Sequence, residues 1–507
     1  MEDHQLYWGE IHTHTDLSDG NGSVEDNFEI AGSHLDFWAM ADHAYDREVF
    51  RLNYAKRAPG RRLLNDDWGR VQDLCRAREE PGTFIPFLAY EWTNFRYGHH
   101  NVYYLDYDQP IRMPPTLPEL YESLRGVDAL VIPHHGGYPV GICGKDWDCH
   151  DEGLSPFVEI YSLHGSSEEP AGIRPLLTRG SWMGPGASGG SVQEGLARGY
   201  RLGIMASSDS HGDHPGAYDN GLIAAYAREL TRPSLWESLV SKRIYGVTGD
   251  RIVLDFVING QPMGSSLVCK GARNINISVI GWDKVERVDI IKNNALLHSF
   301  IEPAGGQASG VGALRFRFMA EWGWDQRGGH DWESGLEIAR GRILQAALCY
   351  RGSVASRKGT GVTQLAASDC RWTSRTEKPR AWGFSRGSAD AMAFEVECDP
   401  DAELRFVLRC DDLERELLMS PTDILSRSTI AYAEEIPPTD NGAHWSQMST
   451  YAKTKIHQGT LTADLTLELS YEDQPDEPAE GRTDFYYVRV IQRNGQRAWS
   501  SPIWVEP

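Results

Sequence analysis

Five apolar runs in the first half of the chain each end on metal-binding side chains, and this repetition constrains the fold more than any other feature. Residues 6–11 (LYWGEI) lead into His12-Thr13-His14, and residues 35–41 (LDFWAMA) into Asp42-His43. Residues 84–90 (FIPFLAY) lead into Glu91, 129–133 (ALVIP) into His134-His135, and 203–208 (GIMASS) into Asp209-Ser210-His211. His99-His100 stands directly before a further run, 101–105 (NVYYL). Short apolar runs separated by helical segments are the pattern of buried strands in a parallel α/β arrangement, either an open sheet or a barrel. In a barrel the C-terminal strand ends converge on one face, where such side chains meet. Residues i and i+2 of an extended strand point to the same side, so His12 and His14 can reach one ion. Asp19 lies in Ser18-Asp19-Gly20, where a tight turn brings a carboxylate back. Imidazole and carboxylate together suit zinc, manganese or iron. A single histidine at a strand end is more often a satisfied polar residue than a ligand; repetition over five or six strands argues against that for the set. Of the 17 histidines only His298, His330, His444 and His457 lie beyond His214, which places the chemistry in the first half.

The helical segments expected between these strands are Ser23, as N-cap, to about Ala31, then Asn65–Glu79, Leu117–Leu124 and Ser234–Ser241, with a further strand at Phe157–Ser162. Near residue 250 the pattern changes to two-residue alternation with turn signals at Asn259-Gly260, Asn293-Asn294 and Asn494-Gly495. The expectation is an α/β domain over residues 1–250 and an all-β, sandwich-like region over 251–507, in one piece or two. Gly180–Ser191 reads equally as a flexible surface loop and as a mobile lid. Glu472–Gly481 reads as an exposed acidic loop.

Length allows two or three domains, since the chain has 507 residues. The formal net charge of -22 and the lack of a basic stripe argue against a nucleic-acid partner. A small anionic substrate stays compatible, because metal ions supply local positive charge. The N-terminus shows no basic segment followed by an apolar stretch, and no apolar run is long enough to span a bilayer, so a cytoplasmic protein without a membrane partner is expected. The eight cysteines form no CxxC pair and are expected to be reduced thiols; zinc ligation by Cys143 and Cys149 near His150 is the less favoured reading.

The ordered set HTHTDLSDG, ADH, FIPFLAYEW, HHNVYYL, VIPHHGG and SSDSH resembles the polymerase-and-histidinol-phosphatase (PHP) superfamily over about residues 7–250. The full length, with its β-rich tail, also resembles an uncharacterised PHP-like family. The resemblance implies a distorted (β/α)7, TIM-like barrel holding two or three divalent ions (Zn, Mn or Fe). It implies metal ligation by His12, His14, Asp19, His43, Glu91, His100, His134, Asp209 and His211. His12, His14, Glu91 and Asp209 would hold one ion, Glu91, His100 and His134 a second, and Asp19, His43 and His211 a third. Two departures stand out. His99 and His135 sit beside matched ligands, so either assignment can slip by one, and His135 replaces the usual proline.

The resulting expectation is a metal-dependent hydrolase that attacks with a metal-bridged hydroxide, foremost a phosphoesterase acting on a small molecule. A carboxyl ester, lactone or amide hydrolase is the alternative, and a non-catalytic binding module the second. His135, His164 and His214 are candidate catalytic acids, each close in sequence to a ligand or strand end. For His164 a loop histidine bonded to backbone is as good a reading. Arg47, Arg96 and Lys145 are candidates to bind an anionic group, although charged loop residues are usually only solvated. Trp92 and Trp147 are candidate pocket walls, with core packing the commoner role. A homo-oligomer is compatible with these readings.

Overall fold

The computed structural model describes residues 3–45, 63, 65–169, 186–301, 312–325, 328–378, 388–433, 451–474 and 482–507. Arg47, the first half of the Gly180–Ser191 segment and most of the acidic loop lie outside the described residues.

Strands of the first half are β1 (Gln5–Glu10), β2 (Phe37–Trp38), β3 (His43–Ala44), β4 (Ile85–Pro86), β5 (Leu88–Trp92) and β6 (His100–Tyr104), followed by β7 (Ala129–Pro133), β8 (Phe157–Ser162), β9 (Gly165–Ser166), β10 (Gly203–Ala206), β11 (Leu222–Ala227) and β12 (Ile244–Val247). Helices occupy Val24–Gly32, Asn65–Arg78, Leu117–Leu124, Val192–Ala197 and Arg232–Val240. The Ser23 hydroxyl accepts from the Asp26 N–H and caps the first of these. Thr116 and Glu119 form a reciprocal capping box on Leu117–Leu124, whose Leu117, Leu120, Tyr121 and Leu124 are buried on one face.

Parallel pairing joins β1 to β2, β2 to β4, β3 to β5 and β8 to β10. Beyond the ladder ends, the Asp209 N–H donates to the His12 carbonyl at 2.8 Å and the His14 N–H to the Ser210 carbonyl at 2.9 Å. The segments that leave β1 and β10 therefore run side by side. The half is not a regular succession of strand–helix units. β5, β6 and β7 are antiparallel neighbours. No helix separates β5 from β6 or β10 from β11 among the described residues. β11, which the sequence reading did not anticipate, adds antiparallel to β1, and β12, likewise unanticipated, adds antiparallel to β11. The first half is thus mixed α/β, rich in strands and sparing in helices.

The second half is almost entirely strand. Asn259-Gly260 (φ 49° and 78°) joins Val253–Ile258 to Gln261–Pro262, and Asn293-Asn294 (φ 52° and 65°) joins Val285–Lys292 to Ala295–Ile301. Positive φ at both central residues matches the right-handed strand twist of a tight hairpin. In Arg273–Ile280 buried and less buried residues alternate, as in a strand with one face packed. Two cores form. One unites first-half residues such as Trp38, Leu88 and Val102 with Ile252, Phe256, Val288, Val488 and Ile503. The other, built on Phe316, Trp322, Trp332, Trp372, Phe394 and Phe406, fills the nine-stranded sheet around His330–Cys349 and Ala389–Cys410. The C-terminal strand Arg497–Ser500 pairs with β12, so one sheet of eleven strands runs from the first half into the second. None of the eight cysteines is in a disulfide. No described helix is long and apolar enough to cross a membrane.

Candidate metal centre

Two carboxylates, Glu91 at the end of β5 and Asp209 beyond β10, are the hubs of the site. Glu91 Oε2 lies 3.9 Å from His12 Nε2, 3.4 Å from His14 Nε2 and 3.0 Å from His43 Nδ1. Its other oxygen lies 2.7 Å from His99 Nδ1 and 3.8 Å from His134 Nε2. Asp209 Oδ1 lies 3.3 Å from His12 Nε2 and 3.1 Å from His14 Nε2, while Oδ2 lies 3.0 Å from His135 and 3.1 Å from His164. At the rim, Asp19 stands 3.4 Å from His43 and 3.5 Å from His211. The hubs are 1% exposed at their side chains, whereas Asp19 and His211 are 36% and 31% exposed, so the cluster opens to solvent on their side.

Local structure aims these groups. Asp42 accepts from the N–H and hydroxyl of both Thr15 and Ser18, which ties the turn carrying Asp19 to the end of β2. A side chain at Gly20 would come within 2.3 Å of the His14 carbonyl, so only glycine permits that turn. His135 (φ 55°) and Asp209 (φ 54°) occupy the left-handed region, a costly conformation that turns both side chains toward each other. The His12 Nδ1–H donates to Glu159 Oε2 at 2.8 Å, since a carboxylate only accepts, and this leaves Nε2 facing both hubs.

The electrostatics suit a cation. Burial opposes ionisation of Glu91, yet His43 and His99 hold its carboxyl well below the usual range. Asp209 is held low in the same way by His12 and His135 against burial. Burial, with His211 and His43, pushes His14 down to about 3, and burial with His12 and His135 keeps His134 neutral. Against burial, Asp209 and Glu159 raise His12 well above its ordinary value, and Glu91 with Asp19 raises His43 to about 10. Ionised Glu91 and Asp209 beside neutral His14 and His134 are the protonation states that metal binding requires, whereas His12 and His43 would have to release a proton to a metal ion. Among the described residues, His134 Nε2 is buried without a hydrogen-bond partner, and Glu91 Oε2 and Asp209 Oδ2 are buried facing imidazole nitrogens. Buried polar atoms are rarely left so, and lone pairs of nitrogen and oxygen facing one another are what a shared cation satisfies.

Donor atoms fall into four overlapping sets, each within 4.8 Å: His12, His14, Glu91 and Asp209; His14, Asp19, His43 and His211; His99, His134 and His135; His135, His164 and Asp209. The structure thus brings together eight of the nine residues matched as ligands, together with His135 and His164. It does not bring His100 in. His100 Nδ1–H donates to the Gly98 carbonyl at 2.9 Å, and its Nε2 lies 3.2 Å from Lys145 Nζ. The reason is register. β6 runs antiparallel to β5 with Glu91 opposite Asn101 and Trp92 opposite His100. Strand alternation puts His99 and Asn101 on the Glu91 face and His100 on the other.

His214 is also elsewhere, its ring 6.0 Å from that of His34 and its N–H bonded to the Gly352 carbonyl. Lys145 Nζ contacts His100 and the Cys149 carbonyl, and burial lowers it to about 7. Arg96 is exposed, its guanidinium 5.3 Å above the Tyr97 ring. Trp92 and Trp147 are buried; Trp92 donates to the Pro114 carbonyl and Trp147 to the Ser191 carbonyl. Glu159 and Tyr138, which bonds His164 Nδ1 at 3.0 Å, were not anticipated. A charge inside the apolar strand FVEIYS was the available signal for Glu159.

Fold and site together define a mixed α/β protein with a buried, multi-donor centre fit to hold metal ions. No family model matches the chain. It is similar to an uncharacterized protein of Chlamydia pneumoniae, 32% identical over 199 residues, covering 36% of this chain and 32% of that protein. An uncharacterized protein of Chlamydia trachomatis is 33% identical over 158 residues, covering 28% of this chain and 25% of the relative. The chain therefore spans a third or less of the length of these curated relatives. Among solved structures it matches, at a TM-score of 0.34 and 11% identity, a two-domain protein from Bacteroides vulgatus containing a predicted PHP-like metal-dependent phosphoesterase, over 83% of this chain and 96% of that one. A likeness this loose does not bear on what the present chain does.

Proposed function

We propose that this chain is a metal-dependent hydrolase of small phosphoesters, with its active centre at Glu91 and Asp209. The observation that carries the reading is the double-sided use of those two carboxylates, each of which faces imidazoles from several strands with both of its oxygens. His12, His14, Glu91 and Asp209 would hold one ion, Glu91, His99 and His134 a second, and Asp19, His43 and His211 a third. His99 takes the place that the sequence pattern gave to His100. In the same reading, the strands β1 to β10 wrap the centre as a distorted barrel. Divalent ions bound there would supply Lewis acidity toward an ester oxygen and an activated water. The chain's own contributions are geometric. Glu159 fixes the ring orientation of His12, Thr93 bonds His43 Nδ1 at 2.8 Å, and the exposed Asp19–His211 edge admits substrate. His135 and His164, both on Asp209, serve better as further donors than as free acids, although Tyr138 on His164 Nδ1 offers a path for a proton.

The test is metal analysis of purified protein joined to turnover of p-nitrophenyl phosphate. Wild-type protein is expected to carry at least two equivalents of metal, and Asp209→Ala to lose both metal and about 100-fold or more of turnover. Metal-free wild-type protein with undiminished activity, or hydrolysis of p-nitrophenyl acetate alone, would overturn the assignment.

A further inference from the structure

A second polar cavity, of about 490 Å³, lies at the seam between the two halves and is lined by Arg198, Arg201 and Arg482 with Asn293, Thr483, Phe485 and Trp504 among its walls. It sits before the N-terminal end of β10, whereas Asp209 follows the C-terminal end, so the four residues of that strand, about 13 Å in length, and the segment leading on to Asp209 lie between it and the metal centre. Among the described residues no carboxylate lines it. That is unusual in a chain with a formal net charge of -22. The arginines are held from behind. Arg201 donates to Glu506 Oε1 at 2.7 Å and to Ser266 Oγ at 2.9 Å, and Arg198 pairs with Asp148. Each guanidinium has five N–H donors, so one carboxylate apiece fixes the side chain and leaves donors for a ligand. Among the described residues Arg482 forms no ion pair. Phe485 and Trp504, largely buried, give the cavity a rigid floor.

We propose that this cavity binds a small, multiply charged phosphate compound at a site separate from the metal centre. Three guanidiniums match the charge and the planar, bidentate hydrogen bonding of phosphate groups. The volume admits a molecule the size of pyrophosphate or a small phosphate ester. The residues belong to both halves: Arg198 and Arg201 lie between the helix Val192–Ala197 and β10, Arg482 and Thr483 lead into the strand Asp484–Gln492, and Trp504 lies in the strand Ile503–Glu506. A bound anion would bridge them. The proposal does not depend on hydrolase activity.

The experiment is calorimetric titration of the full chain with inorganic pyrophosphate. Because metal ions also attract phosphate, the titration is run on Asp209→Ala as well as on wild-type protein. Asp209→Ala is expected to retain saturable binding, and the double substitution Arg198→Ala with Arg482→Ala, placed on that background, to weaken it by about tenfold or more. Thermal melts of the double variant, whose arginines are exposed, check that the fold persists. Equal affinity with and without the two arginines, loss of all binding on Asp209→Ala alone, or no binding to any form at about 1 mM would each overturn the proposal.

Discussion

Single residues decide how the centre is built, and two pairs of neighbours make the point. His99 and His100 are chemically identical, but one faces Glu91 and the other Lys145. His99→Gln is expected to lower metal content or affinity while leaving the melt nearly unchanged. His100→Gln is expected to keep the metal and cost about 1–3 kcal/mol of stability, because Lys145 and the Gly98 carbonyl lose a buried partner. Metal analysis and thermal melts of the two variants separate these outcomes, and the reverse pattern would show that the other histidine is the ligand. Glu159 supplies the second pair with His12. Without its carboxylate the His12 ring is free to flip or change tautomer, so Glu159→Ala is expected to reduce metal affinity by about 10–100-fold. Competition against a chelator of known affinity measures this, and an unchanged affinity would leave Glu159 a merely structural residue. The residue types of the centre were legible because a histidine or acid closing one apolar run after another is hard to explain otherwise. Which of two adjacent histidines points inward was not, because alternation settles it only once the pairing partner and register of β6 are known.

At the scale of elements, the parts that could be read were those with a local cause. The helix Leu117–Leu124 and the strands Ala129–Pro133 and Phe157–Ser162 form over the residues that the sequence reading gave them, since a capping box or a short, largely apolar run fixes their ends. The run LDFWAMA forms a ladder only at Phe37–Trp38, yet the Ala39 and Ala41 N–H groups still donate to the Glu10 and Thr13 carbonyls. Its backbone follows β1 to the site without regular strand geometry, which is how Asp42 comes to brace the turn that carries Asp19. β11 (LIAAYA) and β12 (IYGV) escaped notice because they join by antiparallel addition, β11 to β1 and β12 to β11, and the long-range partnership with β1 has no local signal. The antiparallel run of β6 was hidden for the same reason. A strand entering the site from its N-terminal end places its ligand before the first ladder residue, not after the last.

The whole molecule joins its halves more tightly than the change of sequence pattern near residue 250 suggests. β12 pairs with Arg497–Ser500, and the core around Trp38 and Leu88 continues into Val288, Val488 and Ile503. A buried ionic knot adds to this. Glu168, just beyond β9, accepts from Arg489 at 3.0 Å, from the Tyr487 hydroxyl at 2.8 Å and from Trp499 Nε1 at 3.0 Å, and Arg489 also pairs with Asp289. His164 sits in the turn between β8 and β9, two residues before Ser166, so the C-terminal strands brace one wall of the metal centre. Arg489→Ala would remove the cationic partner of buried Glu168 and one of the two arginines on buried Asp289, which keeps Arg287 at 3.1 Å, at a cost of about 3 kcal/mol. That loss should appear as a lower melting temperature and as weaker metal retention together, since the knot serves both. A fragment of residues 1–250 should fare worse, because it keeps Glu168 but lacks the sheet and core that cover it. Such a fragment is expected to give no cooperative melt and no stoichiometric metal. Removing the nine-stranded sheet around Phe316 and Trp372 is a different operation, since that sheet has a core of its own. A chain in which residues 314–461 are replaced by a short flexible linker is expected to retain metal at the first-half centre. Circular dichroism melts with metal analysis on both truncations decide the matter: a folded, metal-loaded 1–250 fragment would show that the shared sheet is dispensable to the centre.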